Sequence, residues 1–240
     1  MTGAAALGSV EGAAAPGSVQ GAVLVVAKAP VPGLAKTRLA ARVGPDAAAD
    51  IAAAALLDVL TAVRSSGAQL LVALIGELSA AARPVEVAAA LKGAEVFAQR
   101  GDGFADRLAA AHADARALFG PGDPILQVGM DTPQLTAALL SDSLRAAATC
   151  DAVLGPAEDG GWWALAVRDA AWAQALRAVP MSRPDTGALT TAALVGLGVE
   201  VSTLSPLRDV DTWEDAEHVS RIAPEGRFAA AVSVARPAAR

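Results

Sequence analysis

The sequence predicts an α/β fold of three layers, in which helices cover both faces of a mostly parallel, mixed sheet. Three observations carry that expectation. Short Val- and Leu-rich runs alternate with longer Ala- and Leu-rich stretches from residue 22 to residue 130. The intervals between those runs suit the crossovers that parallel strands require. Later, two apolar runs are separated only by Glu158-Asp159-Gly160-Gly161, a spacing that fits a short turn and adds an antiparallel pair.

The elements follow in order. AVLVVA at 22–27 is short, apolar and Val-rich and ends in Lys-Ala-Pro-Val-Pro-Gly, which marks a buried strand feeding a loop. Pro45 and Asp46 then open a helix to about Arg64, with apolar residues at Ile51, Ala54, Ala55, Leu57, Val59 and Leu60. Strands are expected at 69–75, 94–99 and 124–130, with helices around 84–91 and 104–119 between them. A helix is expected to start near Leu135. DAVLGPA (151–157) and WWALAV (162–167) form the late pair, followed by a helix near 186–197, a strand at 199–204 and a helix from Trp213 to Ile222. No fixed-period repeat occurs, which excludes a solenoid.

Of the 240 residues, 54% are hydrophobic and 18% charged, enough apolar material for one sizeable core. Because 62 residues are Ala, the core is expected to lean on Val and Leu. Residues 22–222 form the expected single domain. Residues 1–21 carry Glu11 as their only charge and are expected to be a flexible lead, without the basic start of a signal peptide. The Ala-rich tail at 223–240 is expected to fray.

Composition also narrows the chemistry. A net charge of −6 with scattered basic residues excludes duplex nucleic acid as the main partner. One cysteine, Cys150, forms no intrachain disulfide and leaves no zinc or iron–sulfur motif, so a reducing cytoplasm is the expected compartment. With two histidines, His112 and His218, a metal site would be built from carboxylates, which suits Mg²⁺ or Mn²⁺. His112, within AHADAR, reads as a solvated helix residue. No run of apolar residues suits a membrane span, and no motif sets an oligomeric state.

Ligands of open α/β sheets bind beyond the carboxyl ends of the strands. After the first strand, AKAPVPGLAKTRL places Lys28, Lys36 and Arg38 around the Pro32-Gly33 turn, where cations and free backbone N–H groups can hold phosphate oxygens. The fourth strand ends in Gly129-Met130-Asp131-Thr132-Pro133, which puts Asp131 at the mouth of the sheet as a metal ligand or as a helix cap. Asp209-Val210-Asp211-Thr212-Trp213-Glu214-Asp215 offers a second acidic cluster, in which Asp211 or Thr212 also suits a cap. A cationic loop and two separated aspartates together suggest a nucleotide whose phosphates are bridged to the protein by a divalent ion.

VLVVAKAPVPGLAKTRL (23–39), VGMDTPQL (128–135), LGPAEDGGWWALAV (154–167), RPDTGA (183–188) and DVDTWEDAEH (209–218) resemble the nucleotide-diphospho-sugar transferase superfamily of GT-A fold. More narrowly they resemble the arsenosugar-biosynthesis-type or radical-SAM/selenodomain-associated glycosyltransferases. The resemblance implies that Lys28, Lys36, Arg38 and the loop at Gly33 face nucleotide phosphates, and that Asp131 and Asp211 hold the metal. It implies that Asp159, in the acceptor-side turn, orients or deprotonates an acceptor hydroxyl, while Lys36 assists at the diphosphate. An Asp-Gly turn is the plainer role for Asp159. Gly101-Asp102-Gly103 resembles a turn of the family that opens a helix, with Asp102, Asp106 and Arg107 toward the nucleotide, although a capped helix start explains them equally well. Arg183, Asp185 and Thr186 suit either an anionic acceptor or a helix start. Trp162 and Trp163 point to opposite faces, so one of them can face the cleft.

The resulting expectation is glycosyl transfer from a nucleotide-diphospho-sugar to a small acceptor. The alternative is nucleotidylyl transfer from an NTP to a phosphorylated or carboxylated acceptor with release of pyrophosphate. A non-catalytic nucleotide-binding domain is the third reading.

Overall fold

The structure is a computed structural model that describes residues 20–120 and 122–236. The expected lead at 1–21 lies almost wholly outside the described residues. Among these residues seven strands form one sheet: β1 (Ala22–Lys28), β2 (Gln69–Ile75), β3 (Glu95–Ala98), β4 (Ile125–Gly129), β5 (Ala152–Pro156), β6 (Trp162–Val167) and β7 (Val201–Thr203). Their order is β3-β2-β1-β4-β6-β5-β7. β6 runs antiparallel to both β4 and β5, and the remaining pairs are parallel. Among the described residues eight α-helices accompany them: α1 (Thr37–Val43), α2 (Pro45–Ser66), α3 (Pro84–Ala90), α4 (Phe104–Phe119), α5 (Ala137–Thr149), α6 (Thr186–Val195), α7 (Trp213–Ile222) and α8 (Arg227–Ala235).

The period of two along β1 splits its side chains between the two faces. Val23 and Val25 join α2, α3 and α5 in one core, while Leu24 and Val26 join α4, α6 and the 3₁₀ turn at Trp172–Ala178 in the other. A third core lies outside α2, where Ile51, Ala54 and Ala55 meet α1, α7 and α8 through Leu39, Trp213 and Phe228. α2 is therefore buried on two sides. Its alanines let the sheet and the outer helices approach it closely, so Ala contributes to the core alongside Val and Leu, more than composition suggested.

Two expectations are corrected. The C-terminal segment does not fray throughout, because 227–235 form α8 and Phe228 is buried against α2. Asp58 of α2 accepts hydrogen bonds from the N–H groups of Arg227 (3.1 Å) and Phe228 (2.8 Å), capping α8 from another element. His112 is not solvated: it is 2% exposed, on the same buried stripe of α4 as Leu108 and Ala115. Sequence reading also missed α1, whose residues follow the cationic loop without a side-chain cap.

Candidate active site

The parallel strands β1, β2 and β4 end at one edge of the sheet, and antiparallel β6 begins there. A cavity of about 580 Å³ opens at that edge, lined by Lys28, Lys36, Arg38, Asp131, Asp159 and Asp211 among others. The cations after β1, the acid after β4, the turn before β6 and the acids before α7 are thus brought together from positions far apart in sequence.

Lys36 is the centre of this cluster. Its Nζ donates to Asp131 Oδ2 and to Asp211 Oδ1, both at 2.8 Å. The side chain is 14% exposed. Burial alone would lower its pKa, but the charges of Asp131 and Asp211 outweigh that and hold the ammonium above the ordinary lysine range. The Lys36 backbone is left-handed, at φ 47°, an uncommon state for a residue with a Cβ. Arg38 Nη1 lies 3.6 Å from Asp211 Oδ2. Burial pushes the Asp211 carboxyl up, yet Lys36 and Arg38 together hold it below the usual carboxylate value. Lys28 Nζ donates to the Leu34 carbonyl at 2.7 Å, closing the loop on itself.

The capping alternatives are decided by the hydrogen bonds. Thr136, not Asp131, caps α5 by accepting from Leu139 N–H. Thr212, not Asp211, caps α7, in a reciprocal box with Asp215. Both aspartates are therefore left to the cavity. The Val210 N–H donates to the Asp131 carbonyl at 2.9 Å, which ties the two acidic loops together. Asp209 lines the same cavity, and its Oδ1 is buried with no hydrogen-bond partner among the described residues. Burial, and then the charge of Asp131, push its carboxyl up to about 8.

Asp159 does serve its turn: Oδ1 accepts from Gly161 N–H at 2.8 Å. It also lines the cavity. The turn is held from both sides, by Gly187 N–H donating to the Gly160 carbonyl at 2.8 Å and by Glu158 N–H donating to the Leu207 carbonyl at 2.9 Å. Trp162 lines the cavity, whereas Trp163 is buried in the core with Nε1 donating to the Ser205 carbonyl.

The other expected residues divide between the cavity and positions away from it. Asp106 is engaged by Arg177 at 2.5 Å, and neither it nor Asp102 nor Gly33 lines the cavity. Arg107 does, with its guanidinium over the Phe104 ring. Arg183 lines the cavity and is paired with Asp185 at 2.9 Å.

Sequence reading missed three residues. Gln127 of β4 is buried on the cavity floor with both side-chain polar atoms unpartnered among the described residues, and a lone amide inside ILQVG was its signal. Gln99 lines the cavity and donates to the Ala27 and Ala73 carbonyls, bracing the ends of β1 and β2. Arg208 joins Glu158 of the turn (Nε to Oε2, 2.8 Å) to Asp215 of α7 (3.7 Å), a contact between distant segments that left no local signal.

The donor set can be tested against a divalent ion. Among the described residues no three His, Cys, Asp or Glu side chains form a preformed cage. Asp131 and Asp211 nevertheless converge on one cationic atom, and Asp209 adds an unpartnered buried oxygen beside them. Mg²⁺ is commonly held by one or two carboxylates completed by phosphates and water, so this pair fits such an ion.

The mixed seven-stranded sheet with its flanking helices is an α/β fold of the nucleotide-diphospho-sugar transferase type. Residues 57–183, just over half of the chain, match the family DUF2064, described as an uncharacterized protein conserved in bacteria, and the chain belongs to that family. It is similar to a crystal structure from Desulfovibrio desulfuricans G20 provisionally assigned as a nucleotide-diphospho-sugar transferase, with 25% identity, a TM-score of 0.76 and coverage of 90% of this chain and 97% of that one. It shares its fold with Rv0371c of Mycobacterium tuberculosis H37Rv in complex with manganese (23% identity, TM-score 0.53, 83% and 97% covered). The fold is also that of a CMP:2-keto-3-deoxy-manno-octonic acid synthetase bound to CTP (14% identity, TM-score 0.52, 85% and 98% covered). No curated protein matches the sequence. No helix among the described residues is long and apolar enough to cross a membrane.

Proposed function

We propose that this protein is a nucleotide-utilising transferase of the cytoplasm that moves a glycosyl group from a nucleotide-diphospho-sugar to a small acceptor. The observation that carries the reading is the convergence of Lys28, Lys36 and Arg38 with Asp131, Asp159 and Asp211 on one cavity at the carboxyl edge of the sheet. In this reading Lys28 and Arg38 hold the diphosphate, and Lys36 assists its departure. Asp131 and Asp211 hold Mg²⁺ or Mn²⁺, and the manganese complex of a protein of the same fold supports that choice. When bound, the ion neutralises charge on the leaving diphosphate. Asp159 accepts the proton of the acceptor hydroxyl, and Trp162 offers its ring to the sugar. Donor and acceptor thus meet between β4 and the β5–β6 turn. The narrower placement, among arsenosugar-biosynthesis-type or radical-SAM/selenodomain-associated glycosyltransferases, rests on the five sequence motifs and is part of the same proposal.

A second reading, nucleotidylyl transfer, is favoured by one contact: the shared grip of Asp131 and Asp211 on Lys36, which would place metal and lysine together at the α-phosphate of an NTP. Thermal unfolding separates the two readings, because a ligand that binds only the native state raises the Tm. A Mn²⁺-dependent rise with nucleotide-diphospho-sugars is the expected result. A rise with NTPs alone selects nucleotidylyl transfer, and no rise with any nucleotide refutes both. The Asp131→Asn variant should lose the Mn²⁺-dependent part of the shift while keeping a metal-independent response.

A further inference from the structure

We propose that Lys36 and a divalent cation exchange at one position, so that the ammonium bridges Asp131 and Asp211 until the ion arrives and is then released toward the bound phosphates. The proposal rests on the metal reading above and concerns what this chain's own lysine does. Nζ stands 2.8 Å from one oxygen of each aspartate, which are the oxygens a small hard cation would need. An ion bonded to both would sit within a few ångströms of the ammonium, and like charges that close repel. One of the two cations must therefore leave.

Lys36 has the means to be the one that leaves. Its side chain lines the cavity, as Lys28 and Arg38 also do, so its flexible stem can swing without unfolding any element. Arg38, 3.6 Å from Asp211 and largely exposed, already points outward and need not move. Displacement costs the lysine two charge-assisted hydrogen bonds. The donor's phosphates restore them. Metal and nucleotide should accordingly bind with positive coupling: either alone meets an occupied or unsatisfied cluster, and together they complete it. The same clamp keeps the two carboxylates close together in the free protein.

Two measurements test the exchange. The chain has only three lysines, Lys28, Lys36 and Lys92, so amine acetylation followed by mass spectrometry resolves each one. In the wild-type protein, Lys36 should react slowly, and saturating Mg²⁺ should raise its rate several-fold while Lys92 stays constant. Calorimetric titration with Mn²⁺ alone should show the Lys36→Met variant binding about tenfold more tightly or better than wild type, within the usual range of coupling between sites. The Asp131→Asn variant should bind poorly. Mn²⁺ binding that needs Asp131 but is accompanied by unchanged Lys36 labelling and unchanged Lys36→Met affinity overturns the exchange and leaves the metal reading standing. Failure of Mn²⁺ to bind wild type and the Lys36→Met variant overturns both, while nucleotide stabilisation without metal would still support the transferase reading. The labelling arm needs no variant, so it decides the matter even if Lys36→Met fails to fold.

Discussion

The backbone of Gly160, at φ +90°, passes so close to Pro184 that a Cβ at this position would lie 1.8 Å from the Pro184 carbonyl oxygen. Gly160→Ala therefore faces both left-handed strain and a backbone clash, and should destabilise the protein by about 2–4 kcal/mol in urea unfolding. A change under about 0.5 kcal/mol, typical of an ordinary surface site, would contradict the close approach. His112 presents a different cost. Burial, and next the charge of Arg116, push its imidazole down from 6.5 to about 4. The unfolded chain takes up this proton near pH 6.5 and the folded protein resists until about pH 4. The neutral form's contribution is therefore complete above pH 6.5 and is lost progressively as pH falls toward 4, on the order of 3 kcal/mol across that window. His112→Leu should lose less stability between pH 7 and 4.5 than wild type does, and an equal loss in both proteins would refute the buried neutral imidazole.

Helix α8 shows how an element can depend on a residue far from it in sequence. Gly226 at its start supplies no side chain, and Asp58 of α2 takes over as acceptor for two of the exposed N–H groups. Asp58→Ala should cost about 1–2 kcal/mol. The loss should appear first as local opening, with faster tryptic cleavage at Arg227 before any change in the global transition. Equal cleavage rates in variant and wild type would show that packing of Phe228 alone holds the helix. α7, by contrast, carries its own Thr212–Asp215 box, and this local device is what frees Asp211 for the cavity.

The molecule as a whole carries a charge of −6, yet its cavity gathers Lys28, Lys36, Arg38, Arg107 and Arg183 against Asp131, Asp159, Asp209 and Asp211. Five cations face four carboxylates there, and burial pushes the Asp209 carboxyl up, so positive charge prevails locally inside an acidic protein. The nucleotide binding proposed above should therefore weaken several-fold between about 0.05 M and 0.5 M NaCl as screening shortens the reach of these charges. The Tm of the unliganded protein should move little, because most ion pairs outside the cavity are exposed and contribute weakly. Salt-independent affinity would contradict the proposed contact between the phosphates and Lys28, Lys36 and Arg38.

Local pattern was sufficient for the strands at 22–28, 69–75, 125–129 and 162–167 and for the helices at 45–66 and 104–119, because period and punctuation are properties of adjacent residues. Several charged residues at the cavity were legible for the same reason, since Lys28, Asp131 and Asp159 lie beside recognisable apolar runs, whereas Gln99 and Gln127, which also line it, were missed. Distance in the chain hid the rest. No neighbour announces that Asp58 caps α8, that Asp106 is taken by Arg177, or that Arg208 ties the β5–β6 turn to α7. Nor does any local rule put the Lys36 ammonium between Asp131 and Asp211, 95 and 175 positions away. That contact exists because strand order sets β1 beside β4 and a backbone hydrogen bond from Val210 to Asp131 brings the last acidic loop to the same edge. Such long-range pairings are settled by packing of the whole chain and not by any segment of it.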